Sequence, residues 1–324
     1  MKCTGRIYRL MAVLFLSVIL VSGCRKAEEV TVVYETENYN RDIYRGELSA
    51  GNLCVALDNI VPDGILDLST LHASALFDVN NSKVDFAYNI HERLFPASTT
   101  KIMTALLAIK HADLNAVTTV SVNASSTSFA ADESICGIVT GDQLTIRDLL
   151  YGLMLRSGND AAVAIAEHVA GSVEGFAQMM NEEAQSLMAT NTHFVNPNGL
   201  HDADHYTTAY DLYLIFNECI RHQEFIDIIA TPQYTVNITG ADGAVRQADW
   251  MQTNYYASGR AEQPVGASVV GGKTGTTNEA GNCLILLEKG ANDENYISIV
   301  MGAVSKSLLY QNMTAMINSI PVYQ

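Results

Sequence analysis

Residues 95–108 read FPASTTKIMTALLA: a proline, a serine, and then an apolar run in which Ser98 and Lys101 stand three apart. The apolar spacing stays helical from 99 to 111, so Ser98 and Lys101 share one face at a helix N-terminus. The stretches before it are alternating or β-rich at 52–57, 74–78 and 83–88, the last two joined by the turn-prone pair Asn80-Asn81. The change from strand to helix therefore falls at this serine.

Outward from it, helical patterns occupy 146–155, 161–170, 173–189 and 209–221. Thr145 with Asp148 and Thr208 with Asp211 fit capping boxes, and Ser172 can cap the helix that begins at 173. Strand character returns at 233–238, at 267–270 running on to Lys273, at 282–287 and at 296–303, ahead of a closing helix at 311–320. Strands at both ends with helices between them predict an α+β fold. Its antiparallel sheet is assembled from distant segments, packed with one helical layer and interrupted by a mostly helical subdomain. No repeat and no low-complexity segment occurs, and the chain holds only 6 prolines, so 50–324 reads as one folded unit.

The N-terminus differs. Lys2, Arg6 and Arg9 precede an apolar run at 10–20 that breaks at Ser22 and Gly23, the pattern of an export signal over 1–23. The run is shorter than the roughly 20 apolar residues that span a bilayer, which favours a cleaved signal; an uncleaved anchor is the alternative. Val21-Ser22-Gly23-Cys24 resembles the bacterial lipobox, which implies diacylglycerol on Cys24 and a tether at 24–49, rich in charge and tyrosine, that holds the protein to the outer face of the membrane.

With 19 basic and 35 acidic residues the net charge is −16, and loss of 1–23 leaves 16 basic against 35 acidic, a net −19. Such acidity excludes nucleic acid as the expected partner. Cys54, Cys136, Cys219 and Cys283 would remain after Cys3 is removed and Cys24 lipidated. Their spacing forms no zinc pattern; three pairings are open to them, and the reading adopted is that they are mostly buried apolar residues.

Three motifs carry chemistry. A serine hydroxyl is a weak nucleophile until a base takes its proton, and an ammonium stripped of water becomes such a base, which suits Ser98 and Lys101. A two-residue pattern of this kind occurs about once by chance in a chain of this length. The second motif, Ser157-Gly158-Asn159, lies between two helices and on its own reads as turn chemistry; Ser121-Val122-Asn123, in a strand-like stretch, matches the same pattern without any catalytic context. The third, Lys273-Thr274-Gly275-Thr276 after Gly271-Gly272, joins a fixed positive charge and hydroxyls to glycines that let a ligand approach a strand backbone, a site suited to a carboxylate.

In the order S-x-x-K, S-x-N, K-T-G the three resemble the signature of penicillin-binding proteins and serine β-lactamases. Their surroundings narrow the resemblance to low-molecular-mass DD-carboxypeptidases: FPASTTKIMTALLA, then LLYGLMLRSGNDAAVAIAEH at 149–168, NPNGL at 196–200, HYTTAYDL at 205–212 and GGKTGTTNEAGNC at 271–283, over roughly 73–305. The resemblance implies a β-lactamase/DD-peptidase-like fold and no cofactor or metal. Ser98 would attack the carbonyl between two D-alanines with Lys101 as base, Ser157 would relay the proton to the leaving nitrogen, and Asn159 would orient the substrate and Lys101. Lys273, Thr274, Gly275 and Thr276 would bind the terminal carboxylate, with the amides of Ser98 and Thr276 as the oxyanion hole. The implied partners are peptidoglycan stem peptides ending in D-Ala-D-Ala and β-lactam antibiotics as covalent inhibitors. Relatives often add a β-rich domain; none is expected within 50–324.

Several alternatives remain open at this level. A DD-endopeptidase or transpeptidase would use the same acyl-enzyme, and the motifs do not separate either from a carboxypeptidase. A non-catalytic binding module of the same fold would be expected to lose a reactive side chain, and all of those in the three motifs are present. A class A β-lactamase needs a loop glutamate for deacylation, and 191–211 contains none. A metallopeptidase would use His201 and His205, spaced like a helical metal pair but placed after a turn.

Overall fold

The computed structural model describes residues 52–291 and 293–321. The expected signal at 1–23, the lipidation site Cys24 and the tether at 24–49 lie outside the described residues. Among the described residues no helix is long and apolar enough to cross a membrane.

In chain order the strands are β1 (Ala73–Asp78), β2 (Lys83–Tyr88), β3 (Val117–Thr119), β4 (Gln143–Thr145), β5 (Gln233–Thr239), β6 (Val245–Met251), β7 (Ser268–Thr277), β8 (Gly281–Lys289) and β9 (Asn295–Ala303). The helices are α1 (Lys101–His111), α2 (Ile146–Leu155), α3 (Asn159–Ala170), α4 (Val173–Ser186), α5 (Ala209–Cys219), α6 (Gln223–Ala230) and α7 (Lys306–Ile317). A five-stranded antiparallel sheet runs β2-β1-β9-β8-β7, so the first hairpin pairs with the last strand.

Both faces of this sheet are covered. Leu76, Phe86, Leu284, Leu286 and Val300 pack on Leu309, Met313 and Ile317 of α7. Ala75, Phe77, Ile285, Leu287 and Ile299 pack toward the helical body on the other side. This corrects the expectation of one helical layer. It also explains why β8 and β9 read as unbroken apolar runs: seven consecutive residues of β8 are buried, as they must be when neither face meets water.

In the helical body α1 is the central rod. Its first eight residues, Lys101 to Ala108, are all buried, with α2, α3, α4, α5 and α6 around them. The capping box of Thr145 and Asp148 forms in both directions, at 3.0 Å each way, and Ser172 caps α4. At α5 only half the expected box is made: Thr208 accepts from the Asp211 amide, while the Asp211 carboxylate turns to the Asn191 amide and the Thr192 hydroxyl.

Three expectations are corrected. Residues 52–57 form no strand; Cys54 is tied instead to the helical body by its amide to Tyr213 Oη and its carbonyl to Tyr210 Oη, each 2.9 Å. The closing helix starts at Lys306, capped by Ser305, rather than at 311. A second antiparallel sheet, β3-β4-β5-β6, was not expected. Its strand β6 buries only Trp250 deeply and exposes most other positions, so it carries no alternating apolar signal. Ser121-Val122-Asn123 lies in a turn after β3, not in a strand, with the Asn123 amide on Glu167. Cys54, Cys136, Cys219 and Cys283 are unpaired, and three of them are fully buried, as read.

Candidate active site

Pro96 leads into a 3-10 turn over Ala97–Thr100, and Ala97 takes φ 49°, a left-handed conformation that turns the chain sharply into α1. The Thr99 and Thr100 hydroxyls donate back to the Pro96 and Ala97 carbonyls at 2.7 and 2.8 Å and hold the turn. Ser98 sits in it half-buried, while Lys101, the first residue of α1, points into the interior and is fully buried.

Lys101 Nζ lies 3.1 Å from Ser98 Oγ, 2.8 Å from Asn159 Oδ1 and 2.5 Å from the Asn198 carbonyl oxygen. Two of these oxygens can only accept, and one belongs to a hydroxyl. An ammonium can donate to all three oxygens, and a neutral amine can donate to the two carbonyl-type oxygens and accept the Ser98 hydroxyl on its lone pair. Burial, and then the nearby Lys273 charge, hold the Lys101 amine well below the ordinary lysine range.

Asn159 is placed by a clamp. Its amide donates to the Ser134 carbonyl at 2.8 Å, and the adjacent Asp160 carboxylate accepts from the amides of Cys136, Gly137, Ile138 and Ala161. Burial pushes the Asp160 carboxyl up, against the four amides that pull it down. Ser157, between α2 and α3, has φ 58°, a strained conformation for a serine. Gly158 beside it leaves the space taken by Cys136 Sγ, and Trp250 Nε1 donates to the Cys136 carbonyl at 3.2 Å, which seats the 134–138 loop.

Lys273 on β7 is fully buried and reaches Ser157 Oγ at 3.0 Å and the Thr274 carbonyl at 2.7 Å. Burial alone pulls its ammonium down to about 7. Thr274 Oγ1 lies 3.0 Å from Thr253 Oγ1, and Thr276 is exposed. The glycines serve packing more than ligand approach, a correction to their sequence reading. A Cβ on Gly271 would strike the Ile229 carbonyl of α6, and one on Gly272 the Ile285 carbonyl of β8. A Cβ on Gly275 would come within 2.9 Å of the Pro96 oxygen and 3.1 Å of the Ser98 nitrogen. Gly275 thus lets β7 lie against the serine turn.

The three motifs meet in a cleft of about 590 Å³ lined by Ser98, Asn159, Asn198 and Thr276. Asp132, Glu133 and Glu279 line it as well. These acids had no sequence signal, nor did the Asn198 carbonyl, since a main-chain oxygen leaves no mark in a sequence. What does leave one is the turn that presents it: Asn196 Oδ1 accepts from the Gly199 amide at 2.7 Å, and Gly199 has φ +81° with its α-carbon packed on the Ala97 carbonyl.

His201 and His205 do not form a metal pair. His205 Nδ1 accepts from the Val195 amide at 3.1 Å, leaving Nε2–H to donate to Thr100 Oγ1 at 2.8 Å, so no ring lone pair is free. Burial holds its pKa at about 4, hence the ring neutral. His201 packs edge-on against Phe95.

A serine paired with a buried lysine at the head of a central helix, facing a Lys-Thr-Gly strand on an antiparallel sheet, is the arrangement of the DD-peptidase fold. The chain belongs to the D-alanyl-D-alanine carboxypeptidase family, peptidase family S11, whose model matches residues 68–305. It is 31% identical over 251 residues to D-alanyl-D-alanine carboxypeptidase DacF of Bacillus subtilis, covering 76% of this chain and 61% of that protein. It is 32% identical over 244 residues to DacA of Haemophilus influenzae, covering 72% and 57%. The chain thus spans about three fifths of the length of these two relatives. The crystal structure of the Streptomyces K15 DD-transpeptidase superposes with a TM-score of 0.71 at 29% identity, covering 77% of this chain and 96% of that one. Penicillin binding protein 5 from Haemophilus influenzae gives 0.68 at 28%, covering 80% and 71%.

Proposed function

We propose that the chain is a serine D-alanyl-D-alanine carboxypeptidase that removes the terminal D-alanine from peptidoglycan pentapeptides through an acyl-enzyme on Ser98. The observation that carries this is Lys101 Nζ, fully buried and held between Ser98 Oγ and two obligate acceptors. In the first step Lys101 takes the Ser98 proton as Oγ attacks the carbonyl carbon between the two D-alanines. The amides of Ser98 and Thr276 receive the oxyanion. Lys273, Thr274 and Thr276, with Gly275 admitting the strand, hold the substrate carboxylate. Ser157, hydrogen-bonded to Lys273, passes a proton to the leaving nitrogen, and Asn159 orients the peptide and Lys101. Water then hydrolyses the ester, releasing Ser98.

A β-lactam offers the same carbonyl and carboxylate but no separate leaving group, so its adduct stays in place. The wall formed by 196–201 holds no carboxylate to direct a deacylating water, which favours a penicillin target over a penicillin-destroying enzyme. The reading also puts the enzyme outside the cytoplasm, where its substrate is, held by lipid on Cys24 after loss of 1–23, with 24–49 as tether and 50–324 as catalytic domain.

Two measurements test it. Mass spectrometry of a muramyl pentapeptide should show release of one D-alanine, absent in Ser98→Ala. A fluorescent penicillin should give a lasting covalent band in the natural chain and none in Ser98→Ala; rapid penicillin hydrolysis would overturn the carboxypeptidase reading in favour of a β-lactamase.

A further inference from the structure

The second sheet carries none of the three motifs, but its edge strand grips the segment that seats one of them. Arg246 on β6 pairs in register with Ile238 of β5. Its guanidinium donates to Asp142 Oδ1 at 2.8 Å and to Oδ2 at 2.6 Å, a two-armed ion pair, and Nη2 also reaches the Gly137 carbonyl at 3.3 Å. The Asp142 side chain is 2% exposed and that of Arg246 42%, so the arginine comes in from the surface to meet a buried carboxylate. Asp142 Oδ2 accepts from the Val139 amide as well, at 2.8 Å. The hairpin of β5 and β6 makes two more contacts with this segment. Trp250 Nε1 donates to the Cys136 carbonyl, and at the hairpin tip the Ala241 β-carbon lies 2.7 Å from where one on Gly141 would stand.

These contacts meet, from outside, the peptide groups that Asp160 holds from within. At Cys136 and Gly137 the N–H points to the Asp160 carboxylate, at 2.9 Å each, while the C=O points to Trp250 and Arg246. Two residues before Cys136, the Ser134 carbonyl accepts the Asn159 amide, and Asn159 Oδ1 in turn accepts from Lys101 Nζ. A continuous path thus runs from a surface arginine through 134–142 to the amine beside Ser98. The Arg246 guanidinium itself hydrogen-bonds to no residue of the three motifs.

We propose that Arg246 is a positioning residue for the reaction of Ser98: it holds 134–142 in place so that Asn159 keeps its oxygen on Lys101. This rests on the acyl-enzyme reading above. The fixed fork of a guanidinium suits the task, since one group spans the Asp142 carboxylate and the Gly137 carbonyl together. A lysine ammonium is a single point of charge and can keep the ion pair without the second grip.

A path of contacts becomes a functional one only when coupling is measured, so the test is a double-mutant cycle. The rate constant of penicillin acylation is compared in the full natural chain, Arg246→Ala, Asn159→Ala and the two combined. Arg246→Ala should slow acylation roughly tenfold to a hundredfold when Asn159 is present, the weight of a small displacement at a reacting group. In the Asn159→Ala background it should change the rate by less than about twofold, because nothing remains to be positioned. Arg246→Lys should fall between the natural chain and Arg246→Ala. Affinity for penicillin before the covalent step should hold within about twofold in Arg246→Ala, a loss in the chemical step rather than in binding. Should Arg246→Ala fail to fold by circular dichroism, Asp142→Asn, which keeps the shape and removes the ion pair, takes its place in the cycle with the same expectations. Equal slowing in both backgrounds would mean that Arg246 only supports the fold and would overturn the proposal, as would an unchanged rate when Asn159 is present. A natural chain that forms no adduct at all would sink the acyl-enzyme reading and the positioning role with it.

Discussion

Lys101 and Lys273 are two lysines removed from water, and their hydrogen-bond partners among the described residues are hydroxyls, amides and carbonyls rather than carboxylates; their behaviour with pH follows from that. In the proposed reaction Lys101 has to be neutral to accept the Ser98 proton, and its depressed pKa favours that state. The rate of penicillin acylation should therefore reach its plateau well below the ordinary lysine pKa of about 10.4. A rate that still climbs about tenfold per pH unit toward the ordinary lysine value would mean a charged amine and overturn this account. Lys101→Ala should slow acylation by roughly a hundredfold to ten-thousandfold, the range for loss of a general base.

For Lys273 the same depression acts on stability. The folded value is about 7 against 10.5 unfolded, so between those limits the unfolded chain binds the extra proton. Stability therefore rises with pH from about 7 upward, by about 1.4 kcal/mol per unit for this group, and below 7 the full burial cost remains. Urea midpoints at pH 7 and 8.5 should move up in the natural chain and less in Lys273→Met. An equal rise in both would remove Lys273 as the cause.

Among the elements, β7 lies directly against the serine turn at Gly275. Gly275→Ala puts a methyl against the Pro96 oxygen and the Ser98 and Thr99 nitrogens. Penicillin acylation should fall roughly tenfold to a hundredfold while the circular dichroism spectrum stays native, because shifts of about 1 Å at a reacting centre carry that weight. The loop at 136–138 depends in the same way on one side chain. Asp160→Ala would strand four buried or half-buried amides, costing more than about 3 kcal/mol and freeing Ser134 from Asn159. Thermal unfolding read beside acylation should show both losses.

Legibility in the sequence followed how each feature is built. Ser98, Lys101, Ser157 and Lys273 are side chains with distinct chemistry at fixed spacing, and the structure brings them within hydrogen-bond reach of one another in two pairs. The Asn198 carbonyl has no side-chain signature. The glycines before Lys273 were misread because sequence shows only that a Cβ is missing, not whether a ligand or α6 fills the space. β1, β8 and β9 were legible from their apolar runs, whereas β6, which buries little besides Trp250, and α6, only eight residues long, fell below what periodicity detects.

Across the whole molecule, chemistry-bearing residues from three remote parts of the chain converge because the sheet and the helical body each draw on distant sequence. The same order governs how the protein can be assembled. β9 is the last strand in sequence yet lies in the middle of the sheet, where Ala75 of β1 pairs with Ile299. Until it emerges, the hairpin of β1 and β2 has no neighbour to join it to β7 and β8. Pairings this remote fold slowly, since the loop must close before any contact rewards it. During synthesis the five-stranded sheet therefore cannot close until β9 has appeared, so the sheet is sealed late, after helices α1 to α6 have already been made.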